Sequence, residues 1–237
     1  MKERTRFILQ ALVQDFIETA TPVASKKLLD SHDLKVSSAT IRNEFSALEE
    51  VGLIHSPHIS AGRVPTAKGY RAFVDGLIET DKSEEELIVK DLFAKYMEEY
   101  QLNKSKERVF DVLRIVAQIS GNVAFGQIDN DQSSYIGVSN VLRSPEFLSQ
   151  PEKAAQIIEV LEGRERFKNL VNSIDLKPGE VKIFIGEENL LEEISSCAML
   201  LTRFDDGDHT GYVGILGPMR MRYTFNKALL ENALKMI

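Results

Sequence analysis

Residues 36–71, VSSATIRNEFSALEEVGLIHSPHISAGRVPTAKGYR, constrain the fold of this chain more than any other segment. Ile41, Phe45 and Leu48 recur at i, i+4 and i+7, which places them on one face of a helix. Side chains that are short, hydrogen-bonding and lightly charged read base edges in the DNA major groove. The face opposite the apolar residues carries side chains of this kind, namely Thr40, Arg42, Asn43 and Ser46. The pattern indicates a DNA-reading helix, although a surface helix on an ordinary domain could also produce it.

The sequence before this helix favours the DNA-binding interpretation. A wide apolar stripe over residues 3–19 predicts a buried first helix, and Thr21-Pro22 ends it. Ser25 is a plausible N-cap for a short second helix over residues 25–33, with Lys26 and Lys27 in its first turn. Because the helix dipole disfavours cations there, a DNA phosphate would explain the lysines, as would plain surface exposure. The members of the apolar stripe are Phe7, Ile8, Leu9, Leu12, Val13, Phe16 and Ile17.

A hairpin is predicted after the third helix. Ser37 or Ser38 can cap that helix, and Gly52 suits the C′ position that follows its end. Residues 53–57 and 63–65 are predicted strands, with a turn at 58–62 between them. Three helices and a hairpin describe a winged helix-turn-helix, whose recognition helix enters the major groove while the wing follows the backbone or minor groove.

Many positions in the first third of the chain match one known family. They are Pro22-Val23, residues 36–44, Leu48-Glu49-Glu50, Gly52-Leu53, Pro57-His58, residues 60–63, Pro65-Thr66 and residues 69–71. Further matches lie at 137–147, 185–189 and 214–223. Together these positions resemble the heat-inducible transcription repressor family HrcA. The resemblance implies a repressor that binds an inverted-repeat operator called CIRCE as a dimer and is held active by the GroEL chaperonin.

The chain departs from this family between Ser120 and Gly137. Family members carry there the first part of a GAF-like domain and an inserted dimerisation domain, whereas this chain has only GNVAFGQIDNDQSSYI. The dimer geometry of the family therefore does not carry over. Two amphipathic helices, around residues 87–96 and 105–119, either pack on the effector domain or supply a replacement dimer interface.

The predicted fold class is α+β, with three parts. Residues 1–78 form the winged-helix DNA-binding domain, residues 79–120 a helical linker with possible dimerisation helices, and residues 121–237 a reduced GAF-like α/β effector domain. Predicted strands in the last part lie at 123–128, 134–138, 181–185, 198–204 and 212–216. Predicted helices there lie at 151–161, at 164–174 and from Tyr223 onward.

Composition indicates a cytoplasmic globular protein. No apolar run approaches the roughly 20 residues of a membrane span, and Asp15 and Glu18 interrupt any signal-peptide core. The net charge of −7 divides unevenly, because residues 1–71 carry ten Lys/Arg and eight Asp/Glu. The first part is thus weakly basic and the remainder is acidic. DNA affinity would then depend on local geometry and on two copies binding together.

Other chemistry has weaker support in the sequence. Cys197 lies in an apolar neighbourhood typical of a buried thiol, so a catalytic set with His209 is not expected. Three histidines (His32, His55 and His58) lack nearby soft ligands, and the aspartates at 205–208 lack EF-hand spacing. Arg220 and Arg222 could meet an anion or simply flank the last helix. We expect no enzyme activity, no metal site and no cofactor.

These observations predict a DNA interface with three groups of residues. The helix N-terminus would be capped, and DNA phosphates bound, by Ser37, Ser38 and Thr40. The bases would be faced by Arg42, Asn43 and Ser46. His58, Arg63, Lys68 and Arg71 would lie along the backbone. The expected partners are double-stranded DNA, a second copy of the chain and, by resemblance, the chaperonin, with no membrane. The alternatives are a ligand-responsive regulator of other genes with a GAF-like sensor and a winged helix that contacts only protein.

Overall fold

The chain divides into two units, Met1–Thr80 and Asp81–Ile237. The computed structural model describes residues 1–32, 34, 36–58, 61–77, 83–100, 107–129 and 133–237. The predicted wing turn at 58–62 and the predicted ends of helices at 33, 78 and 105 lie at least partly outside the described residues.

The first unit has the winged-helix arrangement that the sequence predicts. Its elements are α1 (Glu3–Thr19), α2 (Ser25–Ser31), α3 (Ser38–Glu50), β1 (Ile54–His55), β2 (Val64–Pro65) and α4 (Ala67–Leu77). The two strands pair antiparallel, with Ile54 opposite Pro65. Both strands are shorter than predicted, and the hairpin gains a third partner because Val23 forms an antiparallel bridge with Arg63.

The core of the first unit lies between α1 and the helix-turn-helix. Ile8 and Leu12 on α1 and Ile41 and Leu48 on α3 are fully buried or nearly so. The prediction that Phe7 belongs to the buried stripe is wrong, because its side chain is 50% exposed. Successive helical residues lie about 100° apart, so Phe7 turns away from the side that Ile8 buries.

The second unit combines helices with one sheet. Its helices are α5 (Ser83–Tyr100), α6 (Glu107–Ser120), α7 (Ser139–Arg143), α8 (Pro145–Leu148), α9 (Pro151–Glu162), α10 (Arg164–Ser173) and α11 (Tyr223–Leu234). Its strands are β3 (Val123–Ile128), β4 (Ser134–Ile136), β5 (Val181–Ile185), β6 (Cys197–Asp205) and β7 (Thr210–Pro218). The mixture of helix and strand agrees with the predicted fold class.

The five strands form one antiparallel sheet in the order β4-β3-β7-β6-β5. On one face the Phe125 ring packs edge-on against Phe167 of α10, with 5.0 Å between centroids. On the other face, a Cβ built on Gly126 would lie 3.2 Å from Leu113 of α6. The prediction that β5 is a buried strand is wrong, because an edge strand has one neighbour and only Ile185 is fully buried.

The two helices predicted between the domains pack within the second unit. Val89 and Phe93 of α5 and Val112 and Leu113 of α6 are buried. The three-part division of the chain, with a boundary at residue 121, stays a prediction. In the described part of the chain, no helix has both the length and the apolar composition needed to cross a membrane.

Family-like positions in the second unit hold turns together. The Asn189 amide nitrogen donates to the carbonyl oxygens of Gly186 and Cys197, each at 2.9 Å, and thereby closes the connection from β5 to β6. Arg220 binds Glu146 with 2.5 Å between Nε and Oε1, which ties the segment after β7 to α8. Arg220 is therefore engaged by a carboxylate, and Arg222 lies 4.1 Å from the centroid of the Phe225 ring.

Candidate nucleic-acid interface

The candidate recognition helix α3 begins and ends where local chemistry dictates. Ser37 is its N-cap, because the Ser37 hydroxyl accepts the Thr40 N–H at 3.1 Å. At the other end Gly52 has φ +73°, which suits glycine, and its N–H donates to the Glu49 carbonyl at 3.0 Å. The Leu53 N–H donates to the Leu48 carbonyl at 2.9 Å, completing a Schellman motif. Both boundaries confirm the sequence expectation.

The buried side of α3 includes a charged residue that the sequence prediction missed. Glu44 is only 8% exposed and lies among Ile41, Phe45 and Leu48. Its carboxylate accepts hydrogen bonds from the Thr5 hydroxyl at 2.7 Å and from Arg4 Nε and Nη2 at 2.8 and 2.6 Å. The Thr5 hydrogen bond, assisted by Arg4, lowers the pKa of Glu44 below its ordinary value despite burial. Glu44 follows Ile41 by three residues, so helical periodicity could have predicted its place on the buried face.

The outer side of α3 presents the side chains predicted to read bases. Arg42, Asn43 and Ser46 are exposed. Ser46 Oγ donates to the Arg42 carbonyl at 3.1 Å, so this hydroxyl also bonds its own helix. Arg42 Nε donates to Ser25 Oγ at 3.4 Å, a long contact between α3 and α2. A guanidinium and an amide in these positions are able to pair with guanine and adenine edges.

Ser25 does not cap α2, contrary to the sequence prediction. The N-cap position is Ala24, with no side-chain hydrogen bond, and Ser25 is the first helical residue. The hydroxyl is instead directed to Arg42, which the local sequence cannot indicate. Lys27 Nζ contacts the hydroxyls of Thr19 and Thr21, each at 3.4 Å. The α2 N-terminus thus has nearby polar partners within the chain.

Intramolecular partners are present in the free protein for three residues predicted to lie along the DNA backbone: His58 and Arg63 of the wing and Lys68 of α4. Arg63 Nε donates to Glu49 Oε2 at 3.0 Å, so its side chain lies against α3. The His58 side chain is exposed, while the His58 carbonyl accepts the Ala61 N–H at 3.0 Å within the turn. Lys68 Nζ donates to the Val51 carbonyl at 2.9 Å, at the negative end of the α3 dipole.

The remaining residues predicted to contact DNA phosphates lie in other surroundings. Arg71 forms an i,i+4 ion pair with Asp75, 3.4 Å apart. Ser38 and Thr40 are half-buried in the first turn of α3, and the hydroxyls of Ser37 and Thr40 lie 3.0 Å apart. The structure groups the base-facing and capping residues on one helix. Roles in binding DNA remain predictions for all of the proposed interface residues.

The residues weighed for other chemistry have structural roles. Cys197 is fully buried, and burial raises the pKa of its thiol to about 12, as expected of a structural cysteine. Asp206 accepts the backbone N–H groups of Asp208 and His209, at 3.0 and 2.6 Å, within the hairpin turn. His32 Nε2 lies 2.9 Å from a carboxylate oxygen of Asp15. Across the described ranges, no three His, Cys, Asp or Glu side chains are grouped to hold a metal ion.

The second unit has a polar cavity of about 440 Å³ at the hairpin end of its sheet. Gln127, Tyr212 and Arg203 lie side by side on β3, β7 and β6. The Tyr212 hydroxyl lies 2.9 Å from the Ser133 hydroxyl, and burial raises the Tyr212 pKa to about 12. Arg203 Nη2 donates to the Val171 carbonyl at 3.2 Å. This half-open polar cavity, rather than the segment around Arg220, is the one we consider for a ligand.

Both parts of the chain match models of one protein family. Residues 1–76 match the winged helix-turn-helix transcription repressor, HrcA DNA-binding domain. Residues 79–225 match the HrcA protein C-terminal domain. The chain belongs to the HrcA family. The expectation from sequence resemblance is thereby confirmed over both units.

Named relatives match the whole chain or half of it. The heat-inducible transcription repressor HrcA of Carboxydothermus hydrogenoformans is 28% identical, over 97% of this chain and 95% of the relative. That alignment has 327 positions and this chain 237 residues, so at least 90 positions of the relative have no counterpart here. The HrcA of Desulfitobacterium hafniense is 42% identical over 120 residues, 51% of this chain and 32% of the relative.

A solved structure shares the fold of this HrcA family member. The crystal structure of a hypothetical protein at 2.2 Å resolution superimposes with a TM-score of 0.72. It covers 99% of this chain and 97% of its own, with 16% sequence identity. At that identity the similarity supports the fold alone.

Proposed function

We propose that this protein is a transcriptional repressor of heat-shock genes that binds an inverted-repeat operator of the CIRCE type. The observation that carries the proposal is the exposed face of Arg42, Asn43 and Ser46 on a helix capped at both ends and fixed to α1 through Glu44. A rigid helix with short polar side chains suits the major groove. Relatives that cover both units carry the name of such a repressor.

Binding to an inverted repeat calls for two copies of the chain, and we propose that α5 supplies their contact. Leu87 and Ile88 on α5 are 63% and 44% exposed, although both are large apolar side chains. Two such helices related by a two-fold axis would bury these side chains on each other. The many positions missing relative to longer HrcA proteins make a different dimer contact reasonable in this chain.

The dimer proposal is tested by mass in solution. The double substitution Leu87→Asp with Ile88→Asp should yield a monomer in light scattering and reduce operator affinity. Leu148→Asp is the control, because Leu148 is 66% exposed on α8 in the same unit. A dimer that survives the α5 substitutions, or a monomeric wild-type chain at concentrations that saturate the operator, would contradict the α5 contact.

The proposal also includes the GroEL chaperonin as the partner that maintains the active repressor, and a cytoplasmic location where operator and chaperonin are present. Both follow from the resemblance to HrcA proteins. Adding purified chaperonin to the repressor after heating should restore operator binding. If operator binding recovers equally well without chaperonin, the chaperonin does not maintain the active repressor.

The first experiment is a titration of the full chain against a CIRCE duplex and a scrambled duplex over a range of salt concentrations. We expect tight binding of two chains per inverted repeat and weak, strongly salt-dependent binding to the scrambled duplex. Equal weak binding to both duplexes would reject the operator, and no binding to either would reject DNA as the partner.

A second candidate is a ligand-responsive regulator of other genes. The observation that favours it is the cavity lined by Gln127, Arg203 and Tyr212, which offers an amide, a guanidinium and a phenol to a small polar molecule. Operator affinity would be measured with amino acids and dicarboxylic acids added singly, and with Arg203→Gln as the control. A change in affinity that disappears in Arg203→Gln would support this candidate, and unchanged affinity with every compound would reject it.

A further inference from the structure

Glu49 on α3 binds the wing with both carboxylate oxygens. Its Oε2 accepts Arg63 Nε at 3.0 Å, and Arg63 Nη2 lies 3.0 Å from the same oxygen. Its Oε1 accepts the backbone N–H of Ser56, at the end of the first wing strand, at 3.0 Å. One side chain therefore joins the recognition helix to both sides of the hairpin.

The backbone of Arg63 is fixed on its other side. Its N–H donates to the Val23 carbonyl and its carbonyl accepts the Val23 N–H, both at 2.9 Å. Gly62 permits this approach, because a Cβ there would lie 2.5 Å from the Val23 carbonyl carbon. The wing is thus held by the α1–α2 connection through its backbone and by α3 through the Arg63 side chain.

We propose that Glu49 is a positioning residue for operator binding: an acid on the recognition helix that strengthens specific binding by fixing the wing and does not itself contact DNA. The inference rests on the proposed function, in which α3 and the wing bind the operator together. It also changes the expected role of Arg63. In the free protein this guanidinium links the two DNA-binding elements, with the Glu49 carboxylate engaging its Nε and Nη2 and the Ala61 carbonyl lying 3.5 Å from its Nη1.

If Glu49 acted only through its negative charge, it would weaken DNA binding instead of strengthening it. A carboxylate near DNA repels phosphates, so its removal should strengthen binding to any sequence. Glu50 is exposed on the same helix, so its substitution reports this charge repulsion alone. Loss of the Glu49 charge instead frees the Arg63 guanidinium, which can then attract any phosphate while the wing loses its fixed position. Binding to random DNA should be maintained or strengthened as operator binding weakens.

The substitution Glu49→Gln separates these effects with little change in shape. A glutamine has one acceptor oxygen and one amide nitrogen, so it cannot accept from Arg63 and Ser56 through two separate oxygens. Its amide N–H groups would also face either the guanidinium or the Ser56 N–H. The joint contact is therefore broken, while side-chain length and helix propensity stay nearly the same.

The experiment compares the full-length wild-type chain with Glu49→Gln, Glu50→Gln, Arg63→Gln and the double variant Glu49→Gln/Arg63→Gln. Each is titrated with the operator duplex and a scrambled duplex at several salt concentrations. We expect Glu49→Gln to lose about three- to tenfold in operator affinity, the effect that a half-buried hydrogen-bonded ion pair can transmit. Its affinity for the scrambled duplex should be unchanged or higher, with a steeper salt dependence if the freed guanidinium meets phosphate.

Glu50→Gln should leave operator affinity unchanged or raise it. In the Arg63→Gln background, adding Glu49→Gln should have the same effect as Glu50→Gln, because Arg63 is already gone and the single glutamine oxygen can still accept the Ser56 N–H. This double-mutant cycle keeps the test valid if Arg63 also contacts DNA directly, since that contribution is absent from both members of the pair.

Two results would overturn the inference while leaving the proposed function intact. One is that Glu49→Gln matches Glu50→Gln in the wild-type background. The other is an equal loss of operator and scrambled affinity together with a lower unfolding temperature, which would indicate general destabilisation. If the wild-type chain itself does not distinguish operator from scrambled DNA, the proposed function fails and the inference fails with it.

Discussion

Arg4 on α1 donates two hydrogen bonds, of 2.8 and 2.6 Å, to the buried carboxylate of Glu44 on α3. The recognition helix is thereby fixed by a charged contact as well as by the apolar packing of Ile41 and Leu48. Helix packing leaves small rotations and translations available, whereas hydrogen bonds to both carboxylate oxygens, from Arg4 to Oε1 and from Thr5 to Oε2, specify the orientation of α3. The exposed base-facing residues inherit that orientation because they lie on the same rigid helix.

Substituting Glu44 by glutamine should destabilise the first unit by about 1–2 kcal/mol near neutral pH, because a charge-assisted contact is lost from a buried site. The Thr5 hydrogen bond, assisted by Arg4, holds the folded-state pKa of Glu44 below its ordinary value of 4.5. A lowered folded pKa stabilises the fold above the unfolded-state pKa, and this contribution is lost as pH falls through the folded value.

Calorimetric unfolding of wild type and Glu44→Gln at decreasing pH measures this contribution directly. The difference between the two proteins should be largest near pH 7 and shrink at pH values below about 4.5. Glu50→Gln, on the exposed side of α3, is the matched control and should differ little from wild type. A Glu44→Gln difference that grows on acidification would contradict the assigned direction of the pKa shift.

Replacing Arg42 and Asn43 by alanine should reduce sequence discrimination. A bidentate contact to a base edge contributes about 1–3 kcal/mol, so the double variant should approach the affinity of wild type for scrambled DNA. Arg143→Ala, at an exposed arginine of the second unit, controls for the lost positive charge. Unchanged discrimination would mean that α3 does not read bases, and would favour a winged helix used for protein contact.

Lys68 should contribute to affinity without contributing to discrimination. One of its three N–H groups is donated to the Val51 carbonyl, which leaves others for a phosphate. Lys68→Gln should weaken binding to operator and scrambled duplexes alike and lower the slope of log affinity against log salt by about 0.9. An unchanged slope would mean that Lys68 binds only the Val51 carbonyl at the C-terminal end of α3 and contacts no phosphate.

The sequence predicts those parts of the interface that local rules govern. The Ser37 cap, the Gly52 end and the exposed positions of Arg42 and Asn43 depend on helical periodicity and turn chemistry within about a dozen residues. By contrast, the partner of Arg63 is 14 positions away on α3, so its engagement by Glu49 depends on how the hairpin folds back. Local pattern gives no such information.

The same limit applies to the second unit. The composition of β5 correctly predicted a strand, but whether a strand is central or at an edge depends on the order in which distant strands pair. Ser25 has the chemistry of an N-cap, yet its hydroxyl faces Arg42 because α2 and α3 pack together. The partners of Glu44 were similarly hidden, since they lie about forty positions earlier on α1, although its place on the buried face follows from helical spacing.

Gly69 on α4 should be intolerant of a side chain for reasons of space. A Cβ at this position would lie 2.0 Å from the Leu53 carbonyl oxygen, which belongs to the backbone leading into the wing. Gly69→Ala should therefore destabilise the first unit by about 1–3 kcal/mol, the usual cost of forcing atoms into a packed site. The displaced segment carries β1, so operator affinity should fall as well.

Gly76→Ala on the same helix is the matched control. A Cβ at Gly76 would meet the end of the Gln10 side chain at 2.9 Å, which can swing aside, whereas the Leu53 backbone cannot. Alanine is favoured over glycine within a helix by about 0.5–1 kcal/mol, so Gly76→Ala should be neutral or stabilising. Thermal unfolding of the two variants decides the matter, because equal stabilities would show that the close approach at Gly69 does not constrain the fold.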